Sequence, residues 1–335
     1  MTVVTRVSNL FLPKAERIEI KRFNSLLEMA RSRRNQNDDT TKAVFLEIVS
    51  LYGKLNPRNQ LEFDNNYLSR ELGDKRWFIS KLLEFKADLV KLGAGAVPIF
   101  KSAIKNKYSE KKLTVNSVFP LTTFEEKVFV PFLAELGFPA LPILIDGLND
   151  KNSDMKRIFA KALGLIKNHA AIDPLAIIIE NPSEFGERVK ESAIRAIGEI
   201  GKPTAPRALE ALKATLFHGA FSSQIEESAQ AIGKIADSFD SSCIEALRHV
   251  LVRKNFDRYA WAQRRASASA LREIGGPLAI QALGSALENE DETAREAALG
   301  NLAGIKNPLA NQIIQAALFS KYRDTAAMAR QILSR

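Results

Sequence analysis

The chain has 335 residues, of which 46% are hydrophobic and 26% charged, so it can form one large or two ordinary globular domains and is not disordered as a whole. The formal net charge is +9, with 23 basic and 16 acidic residues in 1–135 against 25 and 23 in 136–335. A single cysteine, Cys243, excludes an internal disulfide and a cluster of cysteine metal ligands.

Membrane and export signals are missing from the sequence. No uncharged apolar stretch approaches the roughly 20 residues that a bilayer requires. Residues 1–12 contain Arg6 within a short apolar run and lack a small-residue cleavage site, so they do not match a signal peptide. We therefore expect no membrane association and, with one cysteine, a reducing compartment, the cytoplasm.

The N-terminal part of the chain is predicted to be helical but irregular. Apolar stripes run through residues 15–34, 41–55 and 75–92, with polar segments between them. A stack of repeats needs a cover over its open end, so we expect residues 1–87 to form an N-terminal helical cap. The polar sequence at 105–120 has no sustained period, which predicts a long loop or a domain seam.

Residues 88–335 contain an internal repeat with the motif x-Ala-[Leu/Ile]-Gly-x-Ile, where x varies. Successive copies are 31 to 39 residues apart, which is the length of a helix pair. Similar junctions at Leu92-Gly93 and Leu136-Gly137 extend the series to about seven units. Four copies and a degenerate fifth cover residues 161–166, 195–200, 230–235, 269–274 and 300–305.

Each unit is predicted to be a pair of amphipathic helices. In residues 187–200 the apolar side chains recur at steps of three and four, which is typical of a helix with one buried face. Small residues on the second helices allow neighbouring helices to approach closely. Helix starts are predicted at capping boxes beginning at Ser223 and Ser242, and at the cap-proline pairs Asp173-Pro174 and Asn307-Pro308.

A first helix with proline, a polar turn and a second helix ending in Ala-[Leu/Ile]-Gly-x-Ile-Gly together resemble the HEAT repeat of the short phycobilisome-lyase type. The resemblance covers residues 88–335. It implies an all-α fold, an α-solenoid of about seven HEAT-like helical hairpins behind the N-terminal cap. Such repeats occur in scaffolds, adaptors, chromophore lyases and a few enzymes, so the resemblance alone does not select a function.

The candidate motifs for catalysis, metals and cofactors lack the residues that their chemistry requires. HEAT-like metal hydroxylases bind iron through His-Glu pairs, but His169, His218 and His249 are followed by Ala, Gly and Val. The calcium-loop spacing at 150–154 lacks the required glycine and the bidentate glutamate. We predict no metal and no cofactor, and we expect Cys243 to be a packed thiol rather than a nucleophile. Catalysis is left uncertain, with a non-enzyme favoured.

A cation recurs eight residues before the motif glycine position in four of the five units. One interpretation is a structural ladder, in which these cations pair with acidic turn residues such as Asp154, Glu187 and Asp291 or with carbonyls of an adjacent unit. The other is a basic stripe for recognition along the concave surface. The cations are Lys156, Lys190, Arg264 and Arg295.

The longest unit contains the most unusual segment, residues 248–265, in which basic and aromatic residues alternate. Trp261 precedes Arg264 and Arg265 by three and four positions, so a helix places them on a shared face. Two interpretations stay open: Trp261 is buried between units under the arginines, or the indole contacts a partner. The candidate surface here consists of Arg258, Tyr259, Trp261, Arg264 and Arg265.

These observations favour a non-catalytic scaffold or adaptor that binds a protein along the concave second-helix surface. The partner-binding candidates are the α-helical segment with Trp261 together with the recurring cations. A chromophore-handling subunit resembling bilin lyases is one alternative. A nucleic-acid-binding protein similar to HEAT-like DNA glycosylases is the other, although base-stacking sites usually present more aromatics and more net charge.

Overall fold

The computed structural model describes residues 39–54 and 130–334, apart from 182–184, 203–205, 220 and 255–258, together with scattered positions between 21 and 32. The chain divides into two compact units, residues 1–158 and 159–335. The predicted loop at 105–120 and the boundary at residue 87 lie outside the described residues, as does Arg258. The domain boundaries proposed from the sequence stay a prediction.

The described part of the first unit is helical. Helix α1 (Asp39–Lys54) falls on a predicted apolar stripe and buries Phe45 and Ile48. Gly137, at φ +63, then separates a helical stretch at residues 130–135 from a short 3-10 turn. Two helices follow, and the second continues into the second unit: α2 (Leu141–Asp146) and α3 (Ser153–Ile166).

The second unit contains five complete hairpins among its described residues. Their first helices are α4 (Ile172–Glu180), α6 (Pro206–His218), α8 (Ser241–Val252), α10 (Gly276–Ser285) and α12 (Pro308–Ala317). Their second helices are α5 (Glu187–Ile200), α7 (Ser222–Ile235), α9 (Ala260–Ile274), α11 (Glu292–Ala303) and α13 (Arg323–Leu333).

Packing between these helices defines two layers. Within each hairpin the two helices are in contact, and each first helix also contacts the first helix of the next hairpin. The second helices form the other layer, in the order α5, α7, α9, α11, α13. Stacked hairpins in which each unit contacts only its neighbours are an α-solenoid, so the predicted all-α fold is confirmed.

Glycine in the repeat motif brings the second helices close together. A Cβ atom at Gly164 would lie 2.9 Å from Cα of Ala196, and one at Gly198 would lie 3.0 Å from Cα of Ala231. The same contact recurs one hairpin further, from Gly233 to Ala270 at 2.9 Å. Each motif glycine from α3 to α7 therefore packs on the motif alanine of the next hairpin, as helix packing at close range requires.

Two of the predicted helix starts are wrong by one or two residues. Helix α7 begins at Ser222, after Phe221 as N-cap without a side-chain cap, so Ser223 already lies in the first turn. Helix α8 begins at Ser241, where the carboxylate of Asp240 accepts a hydrogen bond from the Cys243 amide at 3.0 Å. A carboxylate that precedes two serines takes the capping role, since it accepts strongly from helix amides.

Of the two predicted cap-proline pairs, one is confirmed and one is wrong. Asn307 caps α12 and accepts a hydrogen bond from the Leu309 amide at 2.8 Å, as predicted. Asp173 is not a cap, because a 3-10 turn at His169–Ala171 precedes α4 and is itself capped by Asn168. Asp173 therefore lies in the first turn of α4, where a negative charge is favourable.

Candidate functional site

The start of α9 presents an exposed aromatic and cationic surface. Trp261 is 51% exposed and Tyr259 is 44% exposed. The guanidinium of Arg265, one turn further along the helix, lies over the indole with its Cζ atom 5.9 Å from the ring centroid. The interpretation of Trp261 as a buried residue is therefore wrong, whereas the shared helical face of Trp261 and Arg265 is confirmed.

Neighbouring residues of α9 point the other way and anchor it. Gln263 is 2% exposed, accepts a hydrogen bond from Nη2 of Arg253 at 2.6 Å and donates one to Oγ of Ser222 at 3.0 Å. Arg253 also donates to the carbonyl of Leu216 at 3.3 Å. These bonds connect α9 to the preceding hairpin, so Trp261 and Arg265 project from a well-supported helix.

Arg264 belongs to the buried side of α9 rather than to the exposed surface. It is 4% exposed and its Nη2 lies 2.9 Å from Oδ2 of Asp291, the N-cap of α11. It also donates to Oγ1 of Thr293 at 2.9 Å and to the carbonyl of Arg253 at 3.2 Å. The pairing with Asp291 confirms the structural ladder for this cation.

Arg295 repeats this arrangement one hairpin further. It is 6% exposed, forms an ion pair with Asp324 and donates to Oγ1 of Thr325 at 3.0 Å. Two carbonyls accept from its Nη1, and its Cζ lies 3.9 Å from the ring centroid of Tyr322. A guanidinium that satisfies so many acceptors across a hairpin boundary is a structural element.

The two lysines of the recurring set lie in different units. Lys156 lies in the first unit and is 9% exposed. Asp154, proposed above as a ladder partner, forms an ion pair with Arg157 at 3.2 Å. Lys190 is half-buried on α5, and among the described residues no carboxylate, Glu187 included, forms an ion pair with its ammonium.

The sequence analysis missed the charged residues that join the second helices on their exposed side. Arg195 on α5 binds Glu227 on α7 through two bonds, one of them from Nε to Oε2 at 3.1 Å. This bond is the main reason why the pKa of Arg195 is raised. Arg195 occupies the first variable position, x, of the repeat motif. Charged residues at these x positions could have indicated which side of the second helices is exposed.

Carboxylates also lie beside the surface around Trp261. Burial raises the pKa of Glu226 on α7, and the charge of Glu227 adds to that effect, while the charge of Arg265 acts to lower it. Arg265 thus lies within electrostatic range of an acidic side chain of the previous hairpin. The exposed side of α5, α7 and α9 therefore has mixed charge rather than a continuous basic stripe.

Cys243 is a fully buried thiol in the second unit. Burial raises its pKa to about 12, and the hydrogen bond with Asp240 acts in the same direction. The thiol is therefore protonated near neutral pH, as expected for a packed residue. Among the described residues no group of three or more His, Cys, Asp or Glu is placed to hold a metal ion.

None of the helices in the described ranges is both long and apolar enough to cross a bilayer.

Two family models match parts of the chain. Residues 141–220 match the family model for HEAT repeats, and residues 263–289 match the model for the PBS lyase HEAT-like repeat. The chain therefore contains HEAT repeats, including one of the PBS lyase HEAT-like type. A comparison with curated protein sequences gave no match.

Several solved structures are similar to this chain at low sequence identity. Human deoxyhypusine hydroxylase is 17% identical with a TM-score of 0.31, covering 83% of this chain and 98% of that one. The complex of CpcE and CpcF of phycocyanin lyase from Nostoc sp. is 19% identical with a TM-score of 0.35, covering 67% and 98%. Yeast importin-beta is 12% identical with a TM-score of 0.44, covering 92% and 46%.

Proposed function

We propose that this protein is a non-catalytic scaffold that binds a partner protein along its second-helix face, with the start of α9 as the principal contact. The observation that supports this proposal is the exposed Trp261 with Arg265 stacked over its ring. Tryptophan and arginine are the residues most enriched among interface hot spots. Tyr259 extends the same surface, and Arg258 precedes it in the sequence.

The recurring cations have a different part in this proposal. Arg264 and Arg295 are buried, so they fix the helices that present the surface and do not contact the partner themselves. Lys156 is buried in the first unit, and Lys190 lines a separate cleft of the second unit. The contact residues that we propose are therefore Tyr259, Trp261 and Arg265, with Arg258 as their neighbour in sequence.

The charge pattern favours a protein over a nucleic acid. Binding to a phosphate backbone relies on cations that are not neutralised by adjacent carboxylates. Here Arg195 is bonded to Glu227, and Arg265 lies in the field of Glu226. A mixed surface of this kind fits a partner protein with complementary charges, in a reducing compartment such as the cytoplasm.

The test is affinity capture from native lysate with the parent, the Trp261→Ala/Arg265→Glu variant and a Phe239→Ala control. Phe239 is 87% exposed and lies in the loop before α8, so it matches Trp261 as an exposed aromatic ring elsewhere on the chain. We expect the double variant to reduce capture at least about tenfold, or about 1.4 kcal/mol, while the control captures the same protein as the parent.

Three results would contradict the proposal. The first is normal capture by a double variant that melts within about 2 °C of the parent. The second is an eluate in which nucleic acid replaces protein, which would favour the nucleic-acid alternative. The third is a coloured eluate with a visible absorbance band, which would favour a chromophore-handling subunit. Because Trp261 is half exposed, its truncation should leave folding intact.

A further inference from the structure

A cleft of about 300 Å³ opens in the second unit where α4, α5, α6 and α7 meet. Its apolar wall includes Phe185, Ile194 and Phe221, and its polar lining includes Lys190 and Gln224. The side chains of Glu180, Glu187, Thr215 and His218 also line it, and Glu180 is neutralised by an ion pair with Arg207. Phe221 is 46% exposed, so part of this apolar wall is open to solvent. A concave, largely apolar space with a few polar groups is the usual form of a small-molecule site.

Within the described residues, the side chains of Lys190 and Gln224 have no ion-pair or hydrogen-bond partner. Lys190 is half-buried, and burial lowers the pKa of its ammonium. Among the described residues no carboxylate forms an ion pair with it. Gln224 is 5% exposed, and no hydrogen bond of its side-chain amide occurs within the described ranges. Both side chains therefore have hydrogen-bonding capacity left for a ligand in the cleft.

The equivalent position on α9 shows what is missing. On α9 the cation eight residues before the motif position is Arg264, and it binds Asp291, the N-cap of α11. On α5 the cation is Lys190, and the N-cap of the following second helix is Phe221. A carboxylate in the later hairpin is thus replaced by a phenylalanine and an open cleft.

We propose that this cleft binds a small monocarboxylate with an apolar body. The ligand carboxylate would take the place beside Lys190 that Asp291 takes beside Arg264, and the Gln224 amide would donate to one of its oxygens. The apolar body would lie against Phe185, Ile194 and Phe221. A volume of about 300 Å³ is at the lower end of ligand pockets, which favours a small ligand. This site is independent of the surface on α9.

The test compares hexanoate with hexanamide, which has the same shape without the charge. Binding is followed by NMR shifts of the Ile194 methyl groups and of the Lys190 side chain. We expect hexanoate to bind at least about tenfold more tightly than hexanamide, or about 1.4 kcal/mol. Lys190→Met should remove this preference, whereas Lys234→Met, at an exposed lysine on α7, should retain it.

A second variant supplies the carboxylate from the chain itself. Phe221→Asp places an N-cap carboxylate before α7, as Asp291 does before α11. We expect this variant to melt higher than the parent and to lose hexanoate binding, because the cleft is already neutralised. Equal binding of hexanoate and hexanamide, no binding of either, or full hexanoate affinity in a folded Lys190→Met variant would each overturn the proposal.

Discussion

Neighbouring second helices are joined in different ways at the two ends of the second unit. From α3 to α9 the motif glycines pack on the motif alanines of the next hairpin, so closely that a Cβ atom added to each glycine would lie 2.9 to 3.0 Å from the facing Cα atom. From α9 to α13 the connection is made by Arg264 and Arg295, which bind Asp291 and Asp324 of the next hairpin. Backbone proximity holds one end, and buried ion pairs hold the other.

The change coincides with a single departure from the motif. Arg272 stands where the first three copies have glycine, and its side chain lies against Gly304 of the next hairpin. A long side chain at this position prevents the close approach seen at Gly198 and Gly233. Equivalent repeat positions therefore differ in their chemistry. The turn of the following hairpin decides whether a cation is neutralised.

The largest effect should come from removing a buried arginine. Arg264→Met deletes the ion pair with Asp291 and the bonds to Thr293 and to the Arg253 carbonyl. We expect a loss of about 2–4 kcal/mol in the free energy of unfolding, moderated because Asp291 is partly exposed and still caps α11. Denaturant unfolding of the parent and the variant measures it.

The matched control is Lys190→Met, which removes the cation at the same repeat position. No carboxylate among the described residues depends on Lys190, so we expect a change within about 0.5 kcal/mol. Equal losses in the two variants would refute the distinction between the two ends of the unit.

The opposite end should respond to a methyl group. Gly198→Ala places a Cβ atom 3.0 Å from Cα of Ala231, and the helices must move apart. Overpacking outweighs the better helix propensity of alanine, so we expect a net loss of about 1–2 kcal/mol. Gly300→Ala on α11 is the control, since nothing lies within 4 Å of its added Cβ, and it should be neutral or stabilising. A stabilised Gly198→Ala variant would show that the contact is loose.

Much of the fold could be predicted from the sequence because the repeat motif and the amphipathic period act locally. Small residues on the second helices predicted close helix packing, and the structure makes these contacts between Gly164, Gly198 and Gly233 and the motif alanines of the next hairpins. Helix starts were less predictable. Which of several adjacent polar residues caps a helix, as with Asp240 ahead of Ser242, depends on the turn geometry and not on spacing alone.

The candidate site was predictable in composition and not in orientation. Arg264 and Arg265 are adjacent in the sequence, yet one is buried against Asp291 and the other lies over Trp261. Their separation depends on where α9 contacts the hairpins on either side, which is tertiary information. Lys190 could be found from its spacing, but its missing partner depends on Phe221 occupying the cap position of α7.

Acid should act on the ion-paired end of the unit. Burial alone would raise the pKa of Asp291, but hydrogen bonds from Thr293 and the charge of Arg264 outweigh it and lower the pKa. The hydrogen bond from Arg295 lowers the pKa of Asp324. Their stabilisation is present above the unfolded-state pKa of about 3.9 and is lost as the pH falls through the lower folded-state pKa.

The expected result is seen in hydrogen exchange. Below about pH 4, amides of α11 and α13 should lose protection before those of α5 and α7 do. Asp324→Asn should melt lower at neutral pH and show a smaller decrease with acid than the parent. Simultaneous loss of protection in all four helices would argue that the carboxylates of the two ends contribute alike.

The smallest effect should be at the ion pair on the glycine-packed end. Arg195 and Glu227 join α5 to α7, but their side chains are 42% and 21% exposed, so water and salt screen the pair. A double-mutant cycle with Arg195→Gln and Glu227→Gln should give a coupling energy of about 0.5–1 kcal/mol that decreases in high salt. The cycle for Arg264 and Asp291, where the arginine side chain is buried, should give a larger coupling energy that salt changes less. If the exposed pair couples as strongly as the buried one, the glycine contacts alone do not hold the α5–α7 interface, and the division of the unit into two differently joined ends fails.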